Sequence, residues 1–391
     1  MGKAKRARRS KVQVGRARTE VGPARLRHAK VSNSATADFD EPAFAHATNL
    51  AKSQSILAPA KINLTLRILG RRADGFHELE SLVAFAPFGD GLSFWPGAPL
   101  DLKVSGPMAA GAGPLADNLV LRVTRALAER IDGLKLGRFV LSKRLPSGAG
   151  LGGGSADAAA ALRLIAKVNG LDLDDARIHE AARVIGADIP VCLDPQPRVM
   201  RGIGEILSAP ITLPELGILI VHPGFAVPTG PVFKALGLAT GERCAVPSRL
   251  SFFSPPPRGE GEGVGGVPFG TSVQQPLDPP PSPTRGEGDV GATLIPCKPP
   301  QDRERADRDA LLAWLKSDRN DLEPVAIAIA PSIAEVLNVI AELAGCRLAR
   351  MSGSGSACFG LFDSSRAAAA AARRLAAVRR SWWVRAGRLG S

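Results

Sequence analysis

Eleven residues, Pro146, Ser147, Gly148, Ala149, Gly150, Leu151, Gly152, Gly153, Gly154, Ser155 and Ala156, form the stretch with the most evident chemistry. Five glycines fall within 146–154, and the chain then enters an alanine-rich segment, Ser155–Val168, that reads as a helix stopped by Asn169-Gly170. Glycines let the backbone turn sharply and bring unpaired N–H groups close to a ligand. A helix N-terminus adds about half a positive charge, so the combination suits a phosphate group. Ser155 could cap the helix, touch a phosphate oxygen or ligate Mg2+. The bland alternative is a glycine turn with no ligand.

The spacing excludes several familiar phosphate sites. Gly148, Gly150 and Gly153 match GxGxxG, but a dinucleotide fold wants strand, loop, helix and strand in order, with an acid closing the second strand. Here a second helical pattern, Asp175–Val184, follows the first, and Asp172 lies between them. No lysine follows the glycines as in a Walker loop, and the protein-kinase strings VAIK, HRD and DFG do not occur.

The elements around this loop can be read from periodicity. Residues 62–68 alternate apolar and polar, as a half-buried strand does. A charged turn from Gly70 to Gly75 precedes the apolar run Leu82–Phe88. Asp117–Arg130 has helical spacing, Phe139–Ser142 is a short strand entering the loop, and Gly186 is placed to cap the second helix. Later come helices near Arg308–Lys316 and Ser332–Ala344, strands at Arg347–Met351 and Ala357–Phe362, a helix from about Ser364, and an edge strand around Trp382–Val384. Alternating helices and strands predict an α+β sandwich in this half.

Of the net charge of +13, the first 30 residues supply +10, from eleven Lys and Arg against Glu20 alone. The basic balance therefore belongs to a tail, read as a disordered arm over 1–52, and nucleic-acid binding would rest on that arm alone. Residues 251–305 are crowded with Pro and Gly and nearly repeat themselves (PPPRGEGEGVGG, PPPSPTRGEGDVGA). Such composition buries too little apolar surface to offset chain entropy, which predicts a disordered insertion. Five scattered cysteines without paired spacing argue against zinc and for a reduced, cytoplasmic chain. No apolar run approaches the roughly 18 residues of a membrane span. Monomer and weak homodimer are both compatible with the sequence.

Three segments in order resemble the GHMP kinases, the superfamily named for galactose, homoserine, mevalonate and phosphomevalonate: APAKINL at 58–64, PSGAGLGGGSADAAAAL at 146–162 and SGSGSACFGLF at 352–362. The resemblance runs through 57–362 outside the insertion. It implies a two-domain α+β fold: an ATP-binding α/β domain over 53–213 and a ferredoxin-like α/β sandwich over 214–391. It further implies an ATP- and Mg2+-dependent kinase for a small-molecule alcohol. GRRADGFHELES at 70–81, GADIPVCL at 186–193, GIGEIL at 202–207 and HPGFAVPTGPVF at 222–233 are similar to the branch acting on a cytidylyl-methylerythritol in non-mevalonate isoprenoid synthesis. A homoserine- or mevalonate-type kinase is the alternative on the same fold.

The resemblance also implies roles. Asp188 would accept the proton of the acceptor's 2-hydroxyl, and Lys61 would sit beside it and neutralise charge. Asn63, on the same strand face as Lys61, would hydrogen-bond substrate. Phe76 and His77 would meet the cytosine with Phe233 opposite; the family usually has Tyr at Phe76, so stacking survives and a phenol contact is lost. Thr229 and the loop carrying Gly353, Ser354 and Gly355 would complete the acceptor site.

Overall fold

The computed structural model describes residues 53–244 and 300–390. The predicted arm over 1–52 and most of the segment 251–305 lie outside the described residues. Strand β3, His77–Pro96, is twenty residues long and organises the first sheet. Its outer half pairs antiparallel with β1, Gln54–Asn63, and with β5, Gly137–Ser142; its first half pairs with β2, Arg67–Arg71, and with β6, Arg198–Gly202. Strand β4, Asp101–Ser105, adds parallel to β5, and β7, Ile206–Leu207, adds to β6. Opposite Ala60, β3 bulges through Ala86–Phe88, because Pro59 pairs with Gly89 and Lys61 already pairs with Phe85. Pro87 cannot donate to a ladder, so an irregularity at that point is expected.

The predicted strand over 62–68 is interrupted. Strand β1 ends at Asn63, the chain bends, and β2 starts at Arg67. The N–H groups of Leu64 and Thr65 both donate to Leu82 O, and Leu66 bridges to Asn320. Alternation runs on through the break although the two pieces bury into different places, Ile62 and Leu64 in one apolar cluster and Leu66 and Ile68 in another.

Helix α1, Leu119–Ala128, is capped by the Asn118 side chain, which accepts from the Val120 N–H. Helix α2, Gly153–Asn169, buries Ala156, Asp157, Ala158, Ala159, Ala160 and Ala161 in succession. Small side chains let it lie close to β1, β3 and α1. Helix α3, Ala176–Ile185, ends at Gly186, whose φ of −175° is extended. Gly186 caps the helix as expected, its N–H donating to Ala182 O at 3.1 Å, and the chain then leaves toward Asp188 and α4, Ile189–Leu193.

The second sheet has the order β11-β8-β10-β9, entirely antiparallel: β8, Leu216–His222; β9, Cys346–Met351; β10, Cys358–Phe362; β11, Trp383–Leu389. The region around Trp382–Val384 does form an edge strand, longer than expected. Between β8 and β9 come α5, Thr229–Lys234; α6, Pro300–Ser317; α7, Glu323–Ile329; and α8, Ser332–Ala341. Helix α9, Ser365–Val378, packs on β8 and β11, completing the ferredoxin-like sandwich. Ala60, Ile62 and Leu64 of the first sheet share one apolar cluster with Ile218, Ile220 and Phe359 of the second. Period-two alternation then turns Lys61 and Asn63 the other way.

Candidate active site

Lys61 and Asn63 face a cavity of about 770 Å3 bounded by the glycine loop, α2, the Gly186–Asp188 turn, the β2–β3 turn and the loop after β9. Lys61 Nζ donates to Asp188 Oδ1 at 2.8 Å. The lysine side chain is 4% exposed, the carboxylate 39%. Asp188 occupies the N-cap position of α4 yet makes no side-chain capping bond. Its carboxylate is turned to the lysine and the cavity instead.

The glycine loop presents its backbone in a directed way. Its carbonyls are anchored: Leu151 O accepts from Lys61 N at 2.9 Å, Ala149 O from Ala357 N at 3.0 Å, and Gly150 O from Ser352 Oγ at 3.0 Å. Among the described residues, the N–H groups of 147–155 donate to no protein acceptor. Successive unpartnered amides at a helix start form an anion-binding nest. Two glycines are dictated by contact. A Cβ on Gly150, φ 74°, would stand 2.4 Å from Ser352 O, and one on Gly152, φ 61°, 3.1 Å from Lys61 Cβ. Gly152 is the N-cap of α2, which begins two residues before Ser155; Ser155 therefore lies in the first turn and does not cap it. Residues Pro146 to Ser155 line the cavity. Ala156 is buried beneath it, with its N–H on Gly152 O at 2.8 Å.

On the acceptor side, Phe76, His77, Thr229, Phe233, Gly353 and Ser354 all line the same cavity. The rings of His77 and Phe233 touch, 5.0 Å apart and tilted by 44°, while Phe76 stands 58% exposed at its rim. Burial and the nearby Arg71 guanidinium push the His77 pKa below its ordinary 6.5, favouring the neutral imidazole. Thr229 and Ser354 share a hydroxyl hydrogen bond of 2.9 Å. Asn63 Nδ2 is already committed to Ser81 Oγ at 2.8 Å, and Asn63 N donates to Ser352 Oγ at 3.2 Å. Gly355 does not line the cavity: it backs onto Met351, whose sulfur a Cβ there would meet at 2.6 Å.

The sequence reading missed a second charged cluster bordering this cavity. Lys143 Nζ donates to Asp90 Oδ2 at 2.5 Å and to Asp157 Oδ2 at 2.8 Å. Burial alone would lower the Lys143 pKa, but the two carboxylates outweigh it and raise it. Burial pushes Asp157 up to about 8, against the pull of Lys143 and with the push of Asp90. One signal was available: Asp157 is a lone acid within the alanine run that follows the glycines. Asn320, whose Nδ2 holds Met351 O at 2.9 Å and Gly353 O at 2.8 Å, gave no sequence signal.

The fold and this site are those of a small-molecule kinase with a glycine phosphate loop. Residues 118–194 match the family model "GHMP kinases N terminal domain", and residues 301–380 match "GHMP kinases C terminal". The 4-diphosphocytidyl-2-C-methyl-D-erythritol kinase of Xanthobacter autotrophicus is 51% identical over 84% of this chain and 96% of its own length. The enzyme of that name from Methylorubrum extorquens is 48% identical over 85% and 97%. A crystal structure of a 4-(cytidine 5'-diphospho)-2C-methyl-D-erythritol kinase superposes with a TM-score of 0.57 at 31% identity, covering 86% of this chain and all of that one. The chain belongs to the 4-diphosphocytidyl-2-C-methyl-D-erythritol kinase family, within the GHMP kinases.

Proposed function

We propose that this protein transfers the γ-phosphoryl group of ATP to the 2-hydroxyl of 4-diphosphocytidyl-2-C-methyl-D-erythritol, a step of non-mevalonate isoprenoid synthesis. The observation that carries the reading is the Lys61–Asp188 pair, 2.8 Å apart beside a loop with unpartnered amides, in a chain about half identical to relatives of that name. Phosphoryl transfer needs little covalent help; it needs in-line positioning, charge stabilisation and a proton acceptor. The amides of 147–155 and the N-terminus of α2 suit the nucleotide phosphates. Asp188, exposed to the cavity and steered by Lys61, takes the hydroxyl proton, while the buried ammonium offsets charge developing on the transferring group.

The cytosine is read at the β2–β3 turn. Phe76 offers a ring to stack on, His77 a neutral imidazole to hydrogen-bond, and Phe233 supports His77 from behind. Thr229 and Ser354 present paired hydroxyls, with Gly353 beside them. Asn63 acts by holding the β1 bend through Ser81, and Gly355 by shaping the loop that carries Ser354.

The described residues contain no group of three or more His, Cys, Asp or Glu placed to hold a metal. Mg2+ would be held chiefly through nucleotide phosphates and water, with Ser155 as the protein oxygen on the loop. Such an ion would supply charge neutralisation to the β- and γ-phosphates. No helix among the described residues is long and apolar enough to cross a membrane, which is compatible with action in the cytoplasm. Strands β1–β7 precede residue 214 and β8–β11 follow it, which supports reading 53–213 and 214–391 as two domains.

The test is an ATP-dependent assay of the purified chain with 4-diphosphocytidyl-2-C-methyl-D-erythritol, detecting the phosphorylated product by mass. Product and ADP should form in equal amounts. Turnover of mevalonate or homoserine, with none of the cytidylyl compound, would overturn the assignment.

A further inference from the structure

Lys143 stands at the incoming end of the glycine loop, just after β5, and Asp157 on the first turns of the helix at its outgoing end. The ammonium holds both that helix and Asp90 of β3. Asp90 Oδ1 in turn accepts from Arg144 N at 2.5 Å and Leu145 N at 2.8 Å, the last amides before the loop. The Lys143 backbone is fixed as well, its N–H on Ser105 O at 2.8 Å and its carbonyl accepting from Met108 N at 3.1 Å. A Cβ on Gly153 would lie 3.5 Å from Lys143 Nζ, so the ammonium sits directly behind the loop's exit. All three side chains are at most 5% exposed.

The charge count rules out the simplest role. The ammonium is matched by Asp90 and held by Asp157, so the cluster has no surplus positive charge to offer a polyphosphate. What it does have is geometry: a single cation joining both ends of the loop to the longest strand. We propose that Lys143, gripped by Asp90 and Asp157, is a positioning residue that fixes the course of the 146–155 loop and thereby sets nucleotide affinity. This rests on reading that loop as the phosphate site.

The experiment measures ADP binding to the full chain by calorimetry, together with amide hydrogen exchange and the KM of the cytidylyl acceptor. The variants are Lys143→Met, Lys143→Arg and Asp90→Asn. Lys143→Met should raise the ADP Kd by about 10- to 100-fold, the scale of a small misplacement of binding groups, and speed exchange at 147–155 selectively. Lys143→Arg should recover part of the loss. Should Lys143→Met fail to fold, Asp90→Asn decides, because it keeps the Lys143–Asp157 contact while loosening the hold of β3 on the ammonium; it should weaken ADP in the same direction. In each case the acceptor KM should stay within about twofold, since the acceptor groups lie on other elements. A folded variant with wild-type ADP affinity and loop exchange would falsify the proposal, and so would acceptor KM and ADP Kd rising in parallel. Wild-type protein that binds ADP without phosphorylating the acceptor would sink the acceptor assignment alone; wild-type protein that binds no nucleotide would sink both.

Discussion

Two lysine–aspartate contacts border the same cavity, and they are built for opposite purposes. Lys61 meets one carboxylate at 2.8 Å, and that carboxylate is 39% exposed. Lys143 meets two, and both are nearly sealed from water, at 0% and 4%. An exposed carboxylate beside a cation can exchange a proton with a ligand; one buried against an ammonium chiefly holds it in place. Buried ion pairs contribute little net stability but cost heavily when one partner is removed. The comparison therefore separates chemistry from architecture by solvent access, although both contacts have similar lengths.

The largest test of this contrast is Asp188→Asn, which should lower kcat by about 10²- to 10⁴-fold, the usual worth of a positioned general base, while calorimetry finds ADP affinity within a few-fold. A large loss of ADP affinity would place Asp188 on the nucleotide side instead. Next is stability. Lys143→Met should cost about 3–5 kcal/mol in urea unfolding, as expected for stranded buried carboxylates. Lys61→Met should cost less, because Asp188 keeps its access to water, yet should lower kcat about 10²-fold or more. Equal unfolding penalties at the two lysines would erase the distinction.

Smaller effects sharpen the acceptor side. Phe76→Ala should raise the acceptor KM about tenfold, of the order of one lost base–aromatic stack, and leave the melting temperature unchanged, since the ring is mostly exposed. Phe76→Tyr should retain full binding. The smallest effect is in pH. The neutral form of His77 is the one favoured by its burial and by Arg71, so kcat/KM for the acceptor should hold above pH 6.5 and fall as acidification protonates the imidazole. His77→Asn should remove that acid limb at a lower plateau; an unchanged limb would assign the titration to another group.

Much of this was legible locally. The glycine string announced a phosphate loop because φ freedom and exposed amides are properties of residue type at a fixed point in the chain. The ordered motifs fixed the family, and the helices at 153–169 and 332–341 lie close to where their periodicity put them. Where the reading erred, a local signal was ambiguous. Alternation ran through the bend after Asn63 although Ile62 and Leu64 bury into one cluster and Leu66 and Ile68 into another. Ser155 looked like a helix start, but the left-handed turn belongs to Gly152.

The sequence by itself determined that phosphate chemistry was on offer, while the pairing of Lys61 with Asp188 was what the resemblance to the GHMP kinases implied. Only the tertiary structure decided that these two, 127 positions apart, come within 2.8 Å, that Thr229 reaches Ser354, and that Lys143 is gripped by Asp90 and Asp157. The reason is physical. Side-chain periodicity and turn chemistry are set by near neighbours, whereas burial and charge pairing arise only when distant segments close on one another and exclude water.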